Sequence, residues 1–241
     1  DDVFGSYIRR SCVEAGIDIR YLHEARGAHS SIYLSILDAD GDMLVGMSDM
    51  RIVQQDMPAD YLPSQKQLIQ GAKVVTCDPC MGEATLLQLL DLCQPSQIVC
   101  VDPVSCAYAR VVAPLIGRFH TAKPNRMELE ILAGMEIRSD ADLQRAGETV
   151  LGKGLKRLFV SLGAEGCFYM DDTGAVLRRK LRPAKMVNAS GAGDSFAAAM
   201  LYATLQGYDA EKTLDYGMAA GIAAVTHERT INPNMSVPLL E

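Results

Sequence analysis

Positive charge is in short supply in this chain. Only 23 Lys and Arg stand against 30 Asp and Glu in 241 residues, a net charge of −7. Such a balance leaves no electrostatic footprint for nucleic acid or an anionic membrane. Any phosphate site must therefore be local, made of backbone and a few side chains. Long apolar runs are missing too, and nothing approaches the ~20 residues of a membrane span. No signal-like segment is visible. The opening Asp1-Asp-Val-Phe-Gly5 reads as an interior point of a longer polypeptide. Paired cysteines are scarce. Seven Cys are scattered through apolar segments, and Cys77-Asp-Pro-Cys80 has C-x-x-C spacing without a second close pair or a nearby His. That pattern favours buried thiols in a reducing cytosol over redox or zinc chemistry, so a cytoplasmic location is expected. Repeats, low-complexity tracts and flexible linkers are absent as well. What remains, 49% hydrophobic and 22% charged, is an ordinary globular composition.

The hydrophobic pattern predicts an α/β chain. Val3 to Ala15 has helical spacing and stops at Gly16, and Ile17 to Leu22 is a short strand candidate. Ser31–Leu37 and Met43–Met47 flank a turn at Asp38–Asp42 and predict a β-hairpin. Helices are then expected at Tyr61–Gln70, Gly82–Cys93, Ala107–Ile116, Met127–Gly134 and Ser139–Gly152. Between them lie apolar strands at Lys73–Cys77, Gln97–Asp102, Phe119–Ala122 and Arg157–Leu162. A second hairpin at Gly166–Met170 and Val176–Lys180 follows, then helices at Ser195–Gln206 and Ala210–Thr226. Strands separated by helices of this length imply a mostly parallel sheet covered on both faces. One domain over 1–241 is expected, with the first hairpin, about 29–48, as an appendage.

Ligands of such sheets collect at the carboxyl ends of strands. Asp78, Asp102, Lys123, Asn125, Ser161, Gly163 and the stretch Asn188–Asp194 all stand just after strands. The last of these carries the most information. Gly191, Ala192 and Gly193 separate a polar cluster from an Ala- and Leu-rich run that should be helical. A helix beginning there presents unpaired N–H groups and partial positive charge, which is an anion site. Asp194 beside a bound phosphate would suit a base that deprotonates a hydroxyl while the amides stabilise a transferring phosphoryl group. The plainer alternative is a helix cap.

Three segments carry a resemblance. Lys123-Pro-Asn-Arg-Met-Glu128, Val160-Ser-Leu-Gly-Ala-Glu-Gly166 and Asn188-Ala-Ser-Gly-Ala-Gly-Asp194 occur in the order and approximate spacing of the ribokinase-like (phosphofructokinase-B type) carbohydrate kinases. Val101-Asp-Pro-Val-Ser105 and the Asn188-Ala-Ser form of the loop look most like the pseudouridine kinase branch. The resemblance implies a three-layer α/β/α fold with a small β lid, and ATP and Mg2+ as cofactors. A small-molecule nucleoside or ribose-like sugar would be phosphorylated at its 5′-hydroxyl. It implies Asp194 as catalytic base and the amides of Gly191, Ala192, Gly193 and Asp194 as an anion hole. Asn125 and Glu128 match an Asn-x-x-Glu element that organises magnesium and phosphate, often through water; Glu128 could equally be a solvated helix carboxylate. Ser161, Gly163 and Gly166 match a loop lining the nucleotide, although the glycines also suit plain turns. Asn232 falls where the adenine pocket closes. Asp102 and Lys123 would be phosphate-side residues, and Lys123 also fits a surface ion pair. Ser30 and Ser31, with His29, lie at the lid base as substrate candidates. A homodimer through the lid is left open. Two departures stand out. The family's early strand and Gly-Gly-rich helix start would lie ahead of Asp1. Asn188 replaces a common Asp near a monovalent-cation loop, which leaves K+ activation an open expectation. Rival readings are another sugar or nucleoside kinase, for ribose or adenosine, and a non-catalytic nucleotide-binding module.

Overall fold

The computed structural model describes residues 1–37, 43–181, 186–188 and 190–241. The turn expected at Asp38–Asp42 and Ala189 of the loop lie outside the described residues.

The chain opens with α1 (Val3–Glu14), capped by Asp2, whose carboxylate accepts from the Gly5 N–H. Strands β1 (Ile32–Leu37) and β2 (Met43–Asp49) pair antiparallel as a separate two-stranded sheet, the expected hairpin. Three short helices follow: α2 (Arg51–Gln55), α3 (Tyr61–Ser64) and α4 (Lys66–Gly71). The alternating part contains β3 (Val74–Cys77), α5 (Glu83–Leu92), β4 (Ile98–Val101), α6 (Cys106–Val112) and β5 (Thr121–Ala122). It continues through α7 (Arg126–Ala133), α8 (Asp140–Gly152), β6 (Arg157–Ser161), β7 (Cys167–Asp171) and β8 (Val176–Arg179). Helices α9 (Ala192–Leu205), α10 (Ala210–Val225) and α11 (Val237–Leu240) close the chain.

The main sheet has six strands in sequence order, β3 to β8. The pairs from β3 to β6 are parallel, and β7 and β8 join antiparallel. Side chains alternate between faces along a strand, and the core follows that rule. Val99, Val101, Leu158, Val160, Phe168 and Met170 face a cluster with residues of α5 to α8, including Leu86, Leu129 and Leu143. Their neighbours Cys100, Phe159, Cys167 and Tyr169 face the opposite way, against Phe196 and Met200 of α9 and Leu214 of α10. Two helical layers therefore sandwich one sheet. Burial pushes the thiols of Cys77, Cys100 and Cys167 up to about 12, so they are packing groups rather than nucleophiles at neutral pH. No helix among the described residues is long and apolar enough to cross a membrane.

Three expectations need correction. Ile17–Leu22 is not a strand. Asp18 accepts both the backbone and side-chain N–H groups of Arg20, bending the segment into a local turn. Tyr61–Gln70 is broken at Gln65 into two helices, beside Pro63, which has no N–H to donate. The helix expected to reach Ile116 ends at Val112 and continues as a 3-10 turn, Ala113–Arg118, containing Pro114. Helix α2 was not expected; a single turn leaves too little periodicity to read.

Candidate active site

Each parallel strand hands its next residue to the same end of the sheet. After β4 come Asp102-Pro103-Val104-Ser105, and after β5 comes Lys123. Lys123 is only 4% exposed, and its Nζ lies 3.0 Å from Asp102 Oδ2. The surface reading of this lysine is thereby excluded. Asp102 Oδ1 accepts from the Val104 N–H at 3.0 Å. Val104 has φ 64°, a left-handed conformation that β-branched residues rarely adopt.

Asn125 caps α7 through a reciprocal capping box. Its Oδ1 accepts from the Glu128 N–H at 2.9 Å, and Glu128 Oε2 accepts from the Asn125 N–H at 2.8 Å. Glu128 is 3% exposed, so it is no solvated carboxylate. Its pKa is raised, first by burial and further by the Asp102 charge, against the lowering effects of the Asn125 N–H and of Lys123. Ser161, the last residue of β6, donates its N–H to Pro124 O at 3.0 Å, tying the two strand ends together. A 3-10 turn, Gly163–Glu165, follows, and Leu162 N–H donates to Gly166 O. Gly166 has φ 96°, and a Cβ there would overlap Arg179 O. Its glycine identity is thus set by close backbone approach.

The fourth contribution is the start of α9. Val187 and Asn188 N–H both donate to Val225 O, Asn188 Nδ2 donates to Glu228 O, and Asn188 Oδ1 accepts from Ser190 N–H. The loop is therefore laced to the end of α10. Gly191, with φ 81°, is the N-cap residue of α9, and a Cβ there would overlap Thr230 O. Among the described residues no side chain caps this helix. Ser195 N–H is the first to find its intrahelical partner, Gly191 O at 2.9 Å. The amides of Ala192, Gly193 and Asp194 precede it and face outward from the helix end. A Cβ on Gly193 would stand 3.4 Å from Lys123 Nζ, so the buried ammonium lies beside these amides. Asp194 is exposed, and its carboxylate has no hydrogen-bond or ion-pair partner among the described residues. A capping carboxylate would have one. The structure thus leaves this group free to act.

Asn232 is buried, with Nδ2 donating to Ala223 O at 2.9 Å and Oδ1 accepting from Asn234 N–H. Both ends of its amide shape the loop that carries Thr230 over Gly191. Ser30 and Ser31 belong elsewhere. Ser30 Oγ donates to Asp2 Oδ1 at 2.7 Å and Ser30 N–H to Asp2 Oδ2 at 2.9 Å. With the Gly5 N–H they hold the Asp2 pKa down at about 2. Ser31 Oγ is buried without a hydrogen-bond partner among the described residues. Both serines line a cavity of ≈ 220 Å³ together with Gly5, Arg9 and His23. Helix α2, at the root of the hairpin, packs on the 3-10 turn Pro79–Met81 that follows β3, so the hairpin is rooted at the same end of the sheet. A cavity of ≈ 310 Å³ lined by Gln97, Phe119, His120 and Lys156 lies at the opposite, amino ends of the strands. Two residues were missed by sequence reasoning. Asp2 was legible, as an N-cap residue type just before a helical run. Val104 was not, because nothing in its residue type signals a positive φ.

Residues 1–237 match the family model described as pfkB family carbohydrate kinase. The chain belongs to the pfkB family of carbohydrate kinases. These are phosphotransferases that act on sugar hydroxyls. Among pfkB relatives, the chain is 30% identical over 236 residues to pseudouridine kinase of Escherichia coli, covering 98% of this chain and 75% of that one. It is 28% identical over 236 residues to an uncharacterised sugar kinase of the same strain, covering 98% of this chain but 65% of the relative. The structure of Arabidopsis thaliana ribokinase complexed with ribose and ATP superposes with a TM-score of 0.88 at 20% identity. That likeness covers 100% of this chain and 79% of the ribokinase, and it establishes the ribokinase-like fold.

Proposed function

We propose that the chain transfers the γ-phosphoryl group of ATP to the 5′-hydroxyl of a nucleoside or ribose-like sugar, with pseudouridine the leading acceptor. The observation that carries this reading is the unpartnered Asp194 carboxylate standing in the same helical turn as bare amides, next to a buried ammonium. Those are the parts that phosphoryl transfer asks of a protein: a base for the attacking hydroxyl and fixed positive groups around the transferred one. Asp194 accepts the hydroxyl proton as the oxygen attacks. The amides of Ala192, Gly193 and Asp194 hydrogen-bond the equatorial oxygens. Glu128 and Asn125 would hold magnesium through water, and the ion would supply charge neutralisation of the polyphosphate when bound. The buried Glu128 carboxylate, held by its capping box, suits that ion, which keeps several waters and needs few protein carboxylates. Ser161, Gly163 and Gly166 border the nucleotide side, and the hairpin, with Ser31 at its base, covers the acceptor and excludes water.

Pseudouridine is favoured by the likeness to the E. coli enzyme, at 30% identity. The test is ADP release from ATP–Mg with pseudouridine, uridine, ribose and adenosine offered separately. Pseudouridine should give the highest kcat/KM. A higher value for ribose or adenosine would move the assignment within the family. Nucleotide binding by calorimetry with no turnover on any acceptor would make the chain a binding module instead.

A further inference from the structure

The Asp194 turn accounts for the base and the amides but leaves unexplained a buried ammonium, Lys123, paired with the part-buried Asp102. Taking an ammonium out of water costs more than one partly exposed carboxylate returns, unless further hydrogen bonds satisfy it. Lys123 Nζ has three N–H donors. Its partner among the described residues is one carboxylate, Asp102. As a source of folding stability the pair is therefore poor, and its place suggests another use. The ammonium stands beside Gly193, where the bare amides of α9 already favour an anion. Its remaining donors are the kind that phosphate oxygens take up.

Asp102 is attached on both sides. One oxygen meets Lys123 Nζ, and the other holds the Val104 N–H in a turn whose φ of 64° a valine keeps only under constraint. The carboxylate thus has little freedom, and neither has the ammonium it touches. We infer that Asp102 is a positioning residue, which fixes Lys123 Nζ against the first turn of α9 so that the ammonium meets the transferred phosphoryl group without searching for it. The inference rests on the kinase reading above.

The test compares Asp102→Asn, Lys123→Met and the double variant with wild type, by calorimetry with ATP–Mg, by kcat and KM for ATP, and by thermal melting. Asp102→Asn keeps an acceptor for Val104 N–H but removes the counter-charge. Its KM for ATP should rise about tenfold, the scale of one charge-assisted hydrogen bond. Melting close to wild type alongside that rise separates a positioning role from a structural one. The double variant should bind ATP–Mg no more weakly than Lys123→Met alone. Additive losses in the double variant, or a lowered melting temperature with KM unchanged, would overturn the inference. Should Asp102→Asn fail to fold, the double variant, which leaves no charge unpaired, still decides by its affinity relative to Lys123→Met. Failure of the wild-type protein to bind ATP–Mg is a distinct result and sinks the kinase reading itself.

Discussion

The two sides of the proposed site are made in different ways. The phosphate side stands on strand ends whose side chains fill both core clusters, and its backbone is locked at short range. Gly191 lies under Thr230 O, Gly166 under Arg179 O, and a Cβ on Gly217 would come within 2.8 Å of the Phe196 ring that seats α9. The acceptor side is the reverse. Ile69 is the first buried residue among those described, so the described side chains of α1, β1 and β2 lie outside the core. Leu34, Ile36, Val45 and Met47 share one face of the hairpin and are all exposed. A two-stranded sheet of this kind is marginal by itself. A phosphoryl group has one shape, and rigid donors suit it; a lid must move and tolerate different acceptors. If that contrast is right, changes on the phosphate side should reduce catalysis through geometry and charge, and changes on the lid should alter acceptor affinity alone.

Asp194→Asn should give the largest effect. It keeps the size of the side chain and removes the base, so kcat should fall about 10²–10⁴-fold while calorimetric ATP–Mg affinity stays close to wild type. Equal losses of binding and turnover would make Asp194 a structural group. Gly191→Ala comes next. The left-handed φ of 81° costs a β-carbon about 1–2 kcal/mol, and overlap with Thr230 O adds to it. Melting temperature, ATP affinity and kcat should all drop, because the amides themselves shift. An unchanged kcat would show that the amides do not touch the transferred group.

Much of this architecture was legible because its causes are local. Ile98–Val101 and Arg157–Ser161 are short apolar runs bounded by turn residues, and they form central strands. Ser139 caps α8, as its residue type and position suggested. The Asn125–Glu128 capping box was just as local but went unread, the pair having entered only through the resemblance. Burial was not legible. Lys123 and Glu128 look like surface residues in the sequence, and only the meeting of β4, β5 and α9 takes them out of water. Ile17–Leu22 failed for a related cause: Ile17, Ile19 and Tyr21 alternate like a strand, but a strand needs a partner, and Asp18 bends the segment onto Arg20 instead.

Glu128→Gln separates charge from scaffold on the phosphate side. Gln still accepts the Asn125 N–H, so the capping box survives. The buried carboxylate, whose pKa is raised above 4.5, disappears. Between its ordinary value and the raised one, the folded state binds more protons than the unfolded state, so wild-type stability should fall as pH rises through that window. The variant should lose that slope and melt no lower than wild type near neutral pH. Its kcat at limiting magnesium should nevertheless fall about 10–100-fold, partly recovered by excess magnesium. A drop in melting temperature with kcat intact would reduce Glu128 to a cap.

The smallest expected effect tests the lid side. Ser31 Oγ is buried and unpaired, an arrangement that stabilises nothing by itself, so Ser31→Ala should leave melting unchanged or slightly raised. If the hydroxyl instead waits for an acceptor oxygen, the variant should raise KM for the nucleoside about three- to tenfold, the worth of one neutral hydrogen bond. KM for ATP should not move. Ser30→Ala provides the contrast, since its hydroxyl already donates to Asp2, and its loss should loosen the hairpin base and lower melting. Should both serines change KM for ATP rather than for the acceptor, the division between a rigid phosphate side and an adaptable acceptor side would have to be abandoned.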